Sequence, residues 1–596
     1  MKFDLHTSNK RPLKKLLFIL VFIFFSFSSS AQYYIRGEVK DEKSEPIQNA
    51  KIYLHSNKLL YFSGHTGGFG ILTSKYNDSL TFNADGYEPK TISVQSDVYQ
   101  RVILKLLHTN TTLQNQQLVS ITAGANNGTN LSFGNESYSS LIENSFIEAE
   151  KFPETEFSLT ADKASYSNIR RFIHQKTKLP VDAVRIDEML NYFNLNYKQP
   201  EADKTFNVES QLSTCPWNSL NRLLFINVSA KKLNFDSVPP GNFVFLIDVS
   251  GSMDLPNRLP LLKTSFQSLV KNLRDKDTIS IVTYGGSVGT WLPPTSGAEK
   301  QKIIKSIEQL NASGDTPGEA ALRAAYRLAK NSFIQGGNNR IILATDGDFN
   351  VGQTTEKELE ELILKERQAG IYLTCLGVGM GNYKDSKIEA LAKKGNGNFA
   401  YLDDIKEGEK ILVKELTQTL FTVANDVSMK VVFNPALVKE YRLIGYDNKK
   451  TVVANSSSTL EGGEIGSGSG ITAIFEVIPH DNYRSNALED SIATLKINYQ
   501  LPDDSTERCF DYISLNNHND FKSINNELKF ATSLTMFGML LKESKYANNT
   551  TWAGLEKLAK ESYKQDDYLQ NEFLLIIENA KKLYAKKSKK KVKIKR

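Results

Sequence analysis

The sequence predicts a multi-domain protein whose core is an α/β domain with a doubly wound, mainly parallel sheet. Between residues 241 and 421, runs of apolar residues alternate with longer segments of helical periodicity. This alternation is typical of strand–helix–strand units whose helices cover both faces of a parallel sheet. Residues 33–106 instead alternate apolar and polar side chains at a period of two, which predicts an N-terminal all-β sandwich. The regions that flank the core mix strands and helices, so we expect them to be α+β.

The N-terminal segment, residues 1–31, has the features of a cleavable signal peptide. Basic residues from Lys10 to Lys15 precede an apolar run at 16–27, and Ser28-Ser-Ser-Ala31 fits the small-residue cleavage rule. The run is about twelve residues long, short of the ~20 needed to cross a bilayer, and the sequence contains no second run of spanning length. We therefore expect a protein exported to the periplasm, the cell surface or the medium, with no transmembrane segment after signal cleavage.

The formal net charge of +6 is concentrated at the two ends of the chain. Residues 581–596 contain ten basic residues and no acidic one, and residues 1–31 carry five basic residues against Asp4. The rest of the chain is therefore net acidic, and we expect no nucleic-acid partner. The basic tail, residues 586–596, is either a contact for anionic surfaces or a solvated end, and we favour the second interpretation.

The sequence predicts a small domain at residues 33–106 and a linker at residues 107–150. The residues 107–150 are rich in Asn, Thr, Ser and Gly, a composition that buries little apolar surface. The preceding 33–106 region resembles a carboxypeptidase-regulatory-like β-sandwich, an accessory module without peptidase chemistry. That resemblance is carried by Gly37, Val39, Asp41, Pro46-Ile47, Ala50, Gly67, Phe69 and Asp85-Gly-Tyr-Glu88.

Residues 151–240 are predicted to begin with two short helices and to continue as strands from about 205. Two groups of apolar residues have helical spacing, which favours packing of the two helices: Ile169, Phe172 and Ile173, then Ile186, Leu190 and Phe193. The run from Phe157 to Phe193 closely resembles the N-terminal extension of a bacterial subfamily of von Willebrand factor A proteins.

The core domain, residues 241–421, is predicted to contain five strands and five helices. The strands are expected near 243–247, 278–284, 340–345, 371–378 and 398–402. The helices are expected near 258–273, 299–310, 318–332, 356–369 and 405–420.

A candidate metal site follows the first strand of the core. Five apolar residues, Phe243–Ile247, lead directly into Asp248, and Ser250 and Ser252 alternate with Val249 and Gly251 on the turn beyond. One carboxylate and two hydroxyls on a tight turn make a hard-oxygen site for a divalent cation.

The Asp-x-Ser-x-Ser turn resembles the opening of the metal site of von Willebrand factor A domains, and that resemblance implies a threonine and an aspartate from two downstream loops as further ligands. Thr316 precedes an Ala-rich helix, and Asp346 follows the apolar run 340–345. Each has a structural alternative, because Thr316-Pro-Gly-Glu319 is also a helix-capping box and Asp346-Gly347 is also a common turn dipeptide. Since the C-terminal ends of parallel strands meet at one edge of the sheet, we expect the three fragments to converge there.

The three fragments resemble the metal-ion-dependent adhesion site (MIDAS) of the von Willebrand factor type A (VWA) family, which has a Rossmann-like fold. The resemblance implies that Asp248, Ser250, Ser252, Thr316 and Asp346 hold Mg²⁺, with Mn²⁺ or Ca²⁺ as alternatives. It also implies that the ion captures an Asp or Glu side chain of a partner protein. Asp315 departs from the family pattern, which usually has Ser, Gly or Thr at that position.

The chain is predicted to end in a β-rich region, 422–520, and a helical region, 521–585. The segments Tyr441–Tyr446 and Gly463–Gly468 match the C-terminal region that accompanies the same VWA subfamily. Apolar residues from Phe530 to Leu541 recur on one helical face.

The sequence is compatible with three classes of function. We favour adhesion-type protein binding, with an envelope scaffold containing a purely structural ion as the alternative. A Mg²⁺-dependent phosphotransferase would need a second acid where Ser250 stands, and the sequence has no nucleotide-binding loop, HExxH or Gly-x-Ser-x-Gly motif. We therefore predict that the protein is not an enzyme.

The three cysteines, Cys215, Cys375 and Cys509, do not have the spacing of a disulfide framework. A Cys215–Cys509 bridge is left open, and Cys375 is expected to be buried.

Overall fold

The computed structural model describes residues 33–585 with the exception of several short segments. Those segments are 43, 57, 85–86, 106–135, 137, 139–142, 286, 315–317, 348–355, 381–384, 447–461, 481–489, 503 and 548. The predicted signal peptide, the basic tail, most of the linker and Thr316 therefore lie outside the described residues. The chain divides into two compact units, residues 1–107 and 108–596.

The first unit contains only strands in its described part, as the period-two pattern predicts. Its two sheets have the strand orders β4-β1-β7 and β3-β2-β5-β6. The rings of Phe69 and Phe82 lie 5.4 Å apart and join the two sheets through the core. Its strands are β1 (Tyr33–Asp41), β2 (Lys51–Leu54), β3 (Leu59–Phe62), β4 (Gly68–Thr73), β5 (Asn77–Asn83), β6 (Lys90–Gln95) and β7 (Gln100–Leu104).

The core domain of the second unit has a six-stranded sheet in the order β14-β13-β12-β15-β16-β17. All neighbours are parallel except β14, which pairs antiparallel with β13 at the edge. β12 lies in the middle, and all eight of its residues are buried. The strands are β12 (Gly241–Asp248), β13 (Thr278–Gly285), β14 (Ser287–Ser296), β15 (Asn338–Thr345), β16 (Ile371–Val378) and β17 (Phe399–Leu402).

The helices of the core domain largely follow the predicted positions, and two features differ. The prediction missed one helix at 385–394, and it joined 405–420 into a single helix that the structure breaks. The break is a wide π turn at Lys410–Lys414, in which the Glu415 N–H donates to the Lys410 carbonyl at 2.8 Å. The helices are α3 (Leu259–Asn272), α4 (Lys300–Glu308), α5 (Gly318–Asn331), α6 (Glu356–Gln368), α7 (Asp385–Lys394), α8 (Ile405–Glu409) and α9 (Leu416–Leu420).

The segments before and after the core domain build a common flanking body. One sheet has the order β24-β10-β11-β21-β19-β8, and a second has the order β20-β18-β22-β23 with β9 added to β18. Both sheets therefore combine strands from the two sides of the core domain in sequence. The strands are β8 (Ile147–Glu148), β9 (Glu154–Ser158), β10 (Phe206–Thr214), β11 (Arg222–Ala230), β18 (Thr422–Phe433), β19 (Val438–Ile444), β20 (Gly463–Gly466), β21 (Gly470–Pro479), β22 (Ser491–Leu501), β23 (Asp504–Leu515) and β24 (His518–Asn519).

Five helices in the described part of the chain complete the flanking body and bury one apolar cluster. Ile169, Phe172 and Phe193 of the predicted two-helix segment lie in this cluster together with Phe530 and Phe573. The predicted packing of the two short helices is therefore confirmed. The helices are α1 (Ala164–His174), α2 (Ile186–Tyr192), α10 (Asn526–Leu541), α11 (Trp552–Ser562) and α12 (Tyr568–Ala585).

Buried ion pairs join the flanking body to the core domain. The guanidinium of Arg170, on α1, donates to Asp403 at 2.8 Å and 2.5 Å, to Glu407 at 2.7 Å and to Glu572 at 2.8 Å. Asp403 and Glu407 belong to the start of α8 and its preceding turn, whereas Glu572 is on α12. The Arg170 side chain is only 2% exposed and its acidic partners are at most 11% exposed, so these pairs are largely shielded from water.

Candidate metal centre

Asp248 ends the central strand with its carboxylate fully buried at the C-terminal edge of the sheet. Its Oδ1 accepts the Ser250 N–H at 2.9 Å, and its Oδ2 accepts the Thr345 hydroxyl at 3.3 Å. Thr345 is the last residue of β15, which pairs with β12 in parallel, so register brings its hydroxyl beside the carboxylate. Both bonds come from neutral donors and hold the carboxylate in one orientation.

The turn after Asp248 presents two hydroxyls side by side. The Oγ atoms of Ser250 and Ser252 lie 3.1 Å apart, with Ser250 buried and Ser252 exposed. Two adjacent ligands of an octahedral Mg²⁺ with metal–oxygen distances of ~2.1 Å would lie about 3.0 Å apart. The spacing and the hard-oxygen chemistry of these residues therefore fit such an ion.

The segment that carries Thr316 reaches the rim of the same turn. The Ser313 N–H donates to the Val249 carbonyl at 2.6 Å, and the Gly251 N–H donates to the Gly314 carbonyl at 3.0 Å. A side chain at Gly285 would come within 2.6 Å of the Ser313 carbonyl oxygen, so glycine permits this close approach. The role of Thr316 itself stays a prediction, because Thr316 lies between these contacts and α5 in a segment that the structure does not describe.

Asp346 follows β15 at the same edge of the sheet and is 4% exposed. Its Oδ2 is paired with the guanidinium of Arg258, the residue that precedes α3. Arg258 also donates to the Ser252 carbonyl at 2.8 Å through Nη1 and to the Met380 carbonyl at 2.8 Å through Nη2. Arg258 was not predicted from the sequence. The sequence feature that could have indicated Arg258 is a lone basic residue six positions after Ser252, at the start of an amphipathic helix.

The electrostatics of the centre favour a bound positive charge. Burial, with a smaller contribution from the nearby Asp346 carboxylate, raises the pKa of Asp248 to about 7 against the opposing hydrogen bonds from Ser250 and Thr345. In the described part of the chain, no three His, Cys, Asp or Glu side chains gather as a metal-binding group. The candidate centre therefore depends on hydroxyl oxygens together with its two carboxylates.

A doubly wound sheet that presents an Asp-x-Ser-x-Ser turn beside its central strand defines the class of VWA-domain proteins. The family model for the von Willebrand factor type A domain matches residues 242–417, and a model described as von Willebrand factor matches residues 132–225. The VWA part of the prediction is thereby confirmed. Domains of this class commonly mediate protein–protein interactions.

The regions around the VWA domain identify a narrower family. A model described as the C-terminal region of uncharacterized protein YfbK matches residues 418–583. The protein named "Uncharacterized protein YfbK" of Escherichia coli (strain K12) is 36% identical over 470 residues, which cover 75% of this chain and 81% of that protein. The chain belongs to the YfbK family of VWA-domain proteins.

More distant relatives share a shorter segment. The inter-alpha-trypsin inhibitor heavy chain H2 of Mesocricetus auratus is 32% identical over 34% of this chain and 21% of its own length. The magnesium-chelatase 67 kDa subunit of Chlorobaculum parvum is 28% identical over 28% of this chain and 29% of its own length. VWA proteins are mostly not enzymes. Within the described ranges, no helix is long and apolar enough to cross a membrane.

Proposed function

We propose that the protein is an exported binding protein in which a divalent cation captures an acidic side chain of a partner protein. The cation would be held by Asp248, Ser250, Ser252, Thr316 and Asp346. The observation that carries the proposal is the pair of hydroxyls 3.1 Å apart beside the buried Asp248 carboxylate. Because Ser252 is exposed, this cluster of oxygens opens to solvent on one side.

The residues of the site have separate tasks in this proposal. Asp248 supplies the charged ligand, held in place by Ser250 and Thr345. The hydroxyls of Ser250 and Ser252 add oxygen ligands without charge, so a dication would keep part of its positive charge. Mg²⁺ usually retains several waters in protein sites, and a bound Mg²⁺ would offer such a position to a partner carboxylate.

The first test is calorimetric titration of Mg²⁺ into chelator-stripped protein that lacks residues 1–31. We expect one saturable site in the wild type and loss of that site in Asp248→Ala. The matched control is Asp275→Ala, since Asp275 is an exposed acid in the loop between α3 and β13, at the opposite end of the sheet. Equal Mg²⁺ binding by wild type and Asp248→Ala would contradict the proposed ligand set.

A second test separates partner capture from a purely structural ion. Bound Mn²⁺ relaxes water protons only if it carries exchangeable water, so its relaxation enhancement reports an open position. We expect the enhancement to fall when acetate is added, because acetate takes the place of a water. A Mn²⁺-loaded protein with no enhancement and no response to acetate would favour the structural scaffold.

A further inference from the structure

Arg258 brings a positive charge into the candidate metal centre. Its side chain is 9% exposed and makes an ion pair with Asp346. The same guanidinium donates to the carbonyls of Ser252 and Met380, both at 2.8 Å. Arg258 thus connects the Ser252 turn, the end of β15 and the loop after β16.

The loop after β16 is shaped to admit this guanidinium. Gly379 has a φ of +81°, and a Cβ at this position would lie 2.5 Å from the Arg258 Nε. The Gly379 carbonyl accepts the Tyr401 hydroxyl, which fixes the loop from its other side. The Arg258 side chain is consequently held in one position and cannot swing away without disturbing three loops.

The two carboxylates of the centre therefore have different partners. Asp248 is bound by the neutral N–H of Ser250 and the neutral hydroxyl of Thr345. Asp346 shares its Oδ2 with a guanidinium, and a charge-assisted bond of this kind competes with metal coordination for the same lone pairs. The negative charge that Asp346 can offer to an ion is reduced accordingly.

We propose that Arg258 is a positioning residue that makes Asp346 a weak ligand, so that a bound cation keeps enough positive charge to capture a carboxylate. This inference rests on the proposed function and adds a determinant of its specificity. A site with two free carboxylates would bind the cation more tightly but would attract an acidic partner less strongly. Arg258 therefore lowers the affinity of the site for the cation and raises the affinity of the bound cation for an acidic partner.

The proposal predicts opposite changes in two affinities when Arg258 loses its charge. In Arg258→Gln, Asp346 gains freedom to coordinate, and the extra charged ligand should tighten Mg²⁺ binding about tenfold, since ligand charge count tunes cation affinity. Acetate binding to the Mn²⁺-loaded variant should weaken, by roughly threefold or more. A residue that merely braced the loops would lower both affinities when removed.

Two further variants separate charge from bracing. Arg258→Lys keeps a cation beside Asp346 but loses the planar fork, so we expect cation and acetate affinities close to those of the wild type. In an Asp346→Asn background, Arg258→Gln should no longer tighten Mg²⁺ binding, because the double-mutant cycle removes the carboxylate through which Arg258 acts. The structural control is Arg274→Gln. Arg274 pairs with the buried Asp277 at the opposite end of the sheet.

The experiment is calorimetric titration of Mg²⁺ together with acetate titration of the Mn²⁺-loaded proteins, with thermal melts of all variants. Tighter Mg²⁺ binding with weaker acetate binding in Arg258→Gln supports the proposal. Weaker Mg²⁺ binding, with a loss of thermal stability like that of Arg274→Gln, overturns it. If Arg258→Gln binds Mg²⁺ and the wild type does not, Arg258 blocks the site. The proposed function then fails, whereas the control of Asp346 by Arg258 stands. If neither protein binds Mg²⁺, both fail.

Discussion

At the scale of single residues, the buried carboxylate of Asp248 makes the metal-free protein sensitive to pH. Burial raises its pKa to about 7, whereas an unfolded Asp titrates near 3.9. Between these values the folded protein holds a proton that the unfolded chain has lost. The metal-free protein should therefore lose stability as the pH rises from about 4 to 7, because the folded state binds more protons in that window.

The substitution Asp248→Asn tests this pH dependence. The amide keeps the shape of the side chain and can still accept the Ser250 N–H, but it carries no charge to bury. In chelator at pH 8, we expect the variant to be more stable than the wild type by on the order of 1–3 kcal/mol, with the difference vanishing near pH 4. Urea unfolding across this pH range measures it. A variant that is less stable than the wild type at pH 8 would contradict the expectation.

The candidate centre shows which residues a sequence pattern can predict. Asp248, Ser250 and Ser252 follow from an apolar strand that ends in an oxygen-rich turn, and Asp346 follows from the resemblance to the VWA family; the structure brings all four to one sheet edge. Arg258 could not be predicted in the same way. Its partner Asp346 is 88 residues away in sequence, and only the register of β12 with β15 brings them together.

At the scale of elements, the core strands agree with their predicted positions because each is a continuous buried apolar run. β14 was missed because Pro293 and Pro294 interrupt its pattern. Both prolines are exposed on the edge strand of the sheet, where the missing N–H groups cost no sheet hydrogen bond.

The predicted 405–420 helix was wrong in its middle. There Lys410 lies 4.0 Å from the centre of the Tyr192 ring, and Glu415 accepts from Lys163 at 2.9 Å. Helical periodicity in the sequence carries no information about these contacts to the flanking body.

Three helices also meet at Arg170, and removing its charge should loosen that junction. In Arg170→Gln, Asp403, Glu407 and Glu572 lose a shared partner in a site that is largely shielded from water. We expect a loss of stability of about 3–5 kcal/mol, the usual cost of leaving buried charges unpaired. Urea unfolding measures the loss, and hydrogen exchange should show faster opening of α1 and α12 than of β12.

The control for this junction is Arg323→Gln. Arg323 pairs with Glu319 on the surface of α5, with 37% of its side chain exposed. A surface pair of this kind contributes about 1 kcal/mol or less. Similar losses in both variants would show that the Arg170 cluster adds nothing beyond an ordinary surface pair.

At the scale of the whole second unit, the core domain has the architecture of an insertion into the flanking body. All six strands of the core sheet come from residues 241–402, whereas β10 and β11 precede the core domain and pair in one sheet with β21 and β19, which follow it. Local patterns predicted strands at 205–240 and a β-rich region at 422–520 but not their pairing, since pairing between residues about 250 apart leaves no periodic signal. The flanking body should therefore fold only when both of its parts are present.

The two points where the chain leaves and re-enters the flanking body lie side by side. The Gly468 N–H donates to the Lys231 carbonyl at 3.0 Å, and the neighbouring Ser467 N–H donates to the Phe421 carbonyl at 2.8 Å. These two carbonyls are therefore within about 10 Å of each other, a span that a few residues can cover. Replacing residues 234–420 by a short Gly-Ser linker should leave a flanking body that still folds.

Circular dichroism and thermal melts of this deletion protein test the insertion. We expect a cooperative transition, lowered because Arg170 and Lys163 lose their partners in the core domain, and a separate cooperative transition for the excised segment 234–421. The segment 147–233 alone should not melt cooperatively, since β11 would lack β21, with which it pairs from Arg222 to Ser229. A deletion protein without a transition would mean that the buried ion pairs at Arg170, rather than shared sheets alone, are required for the flanking body to fold.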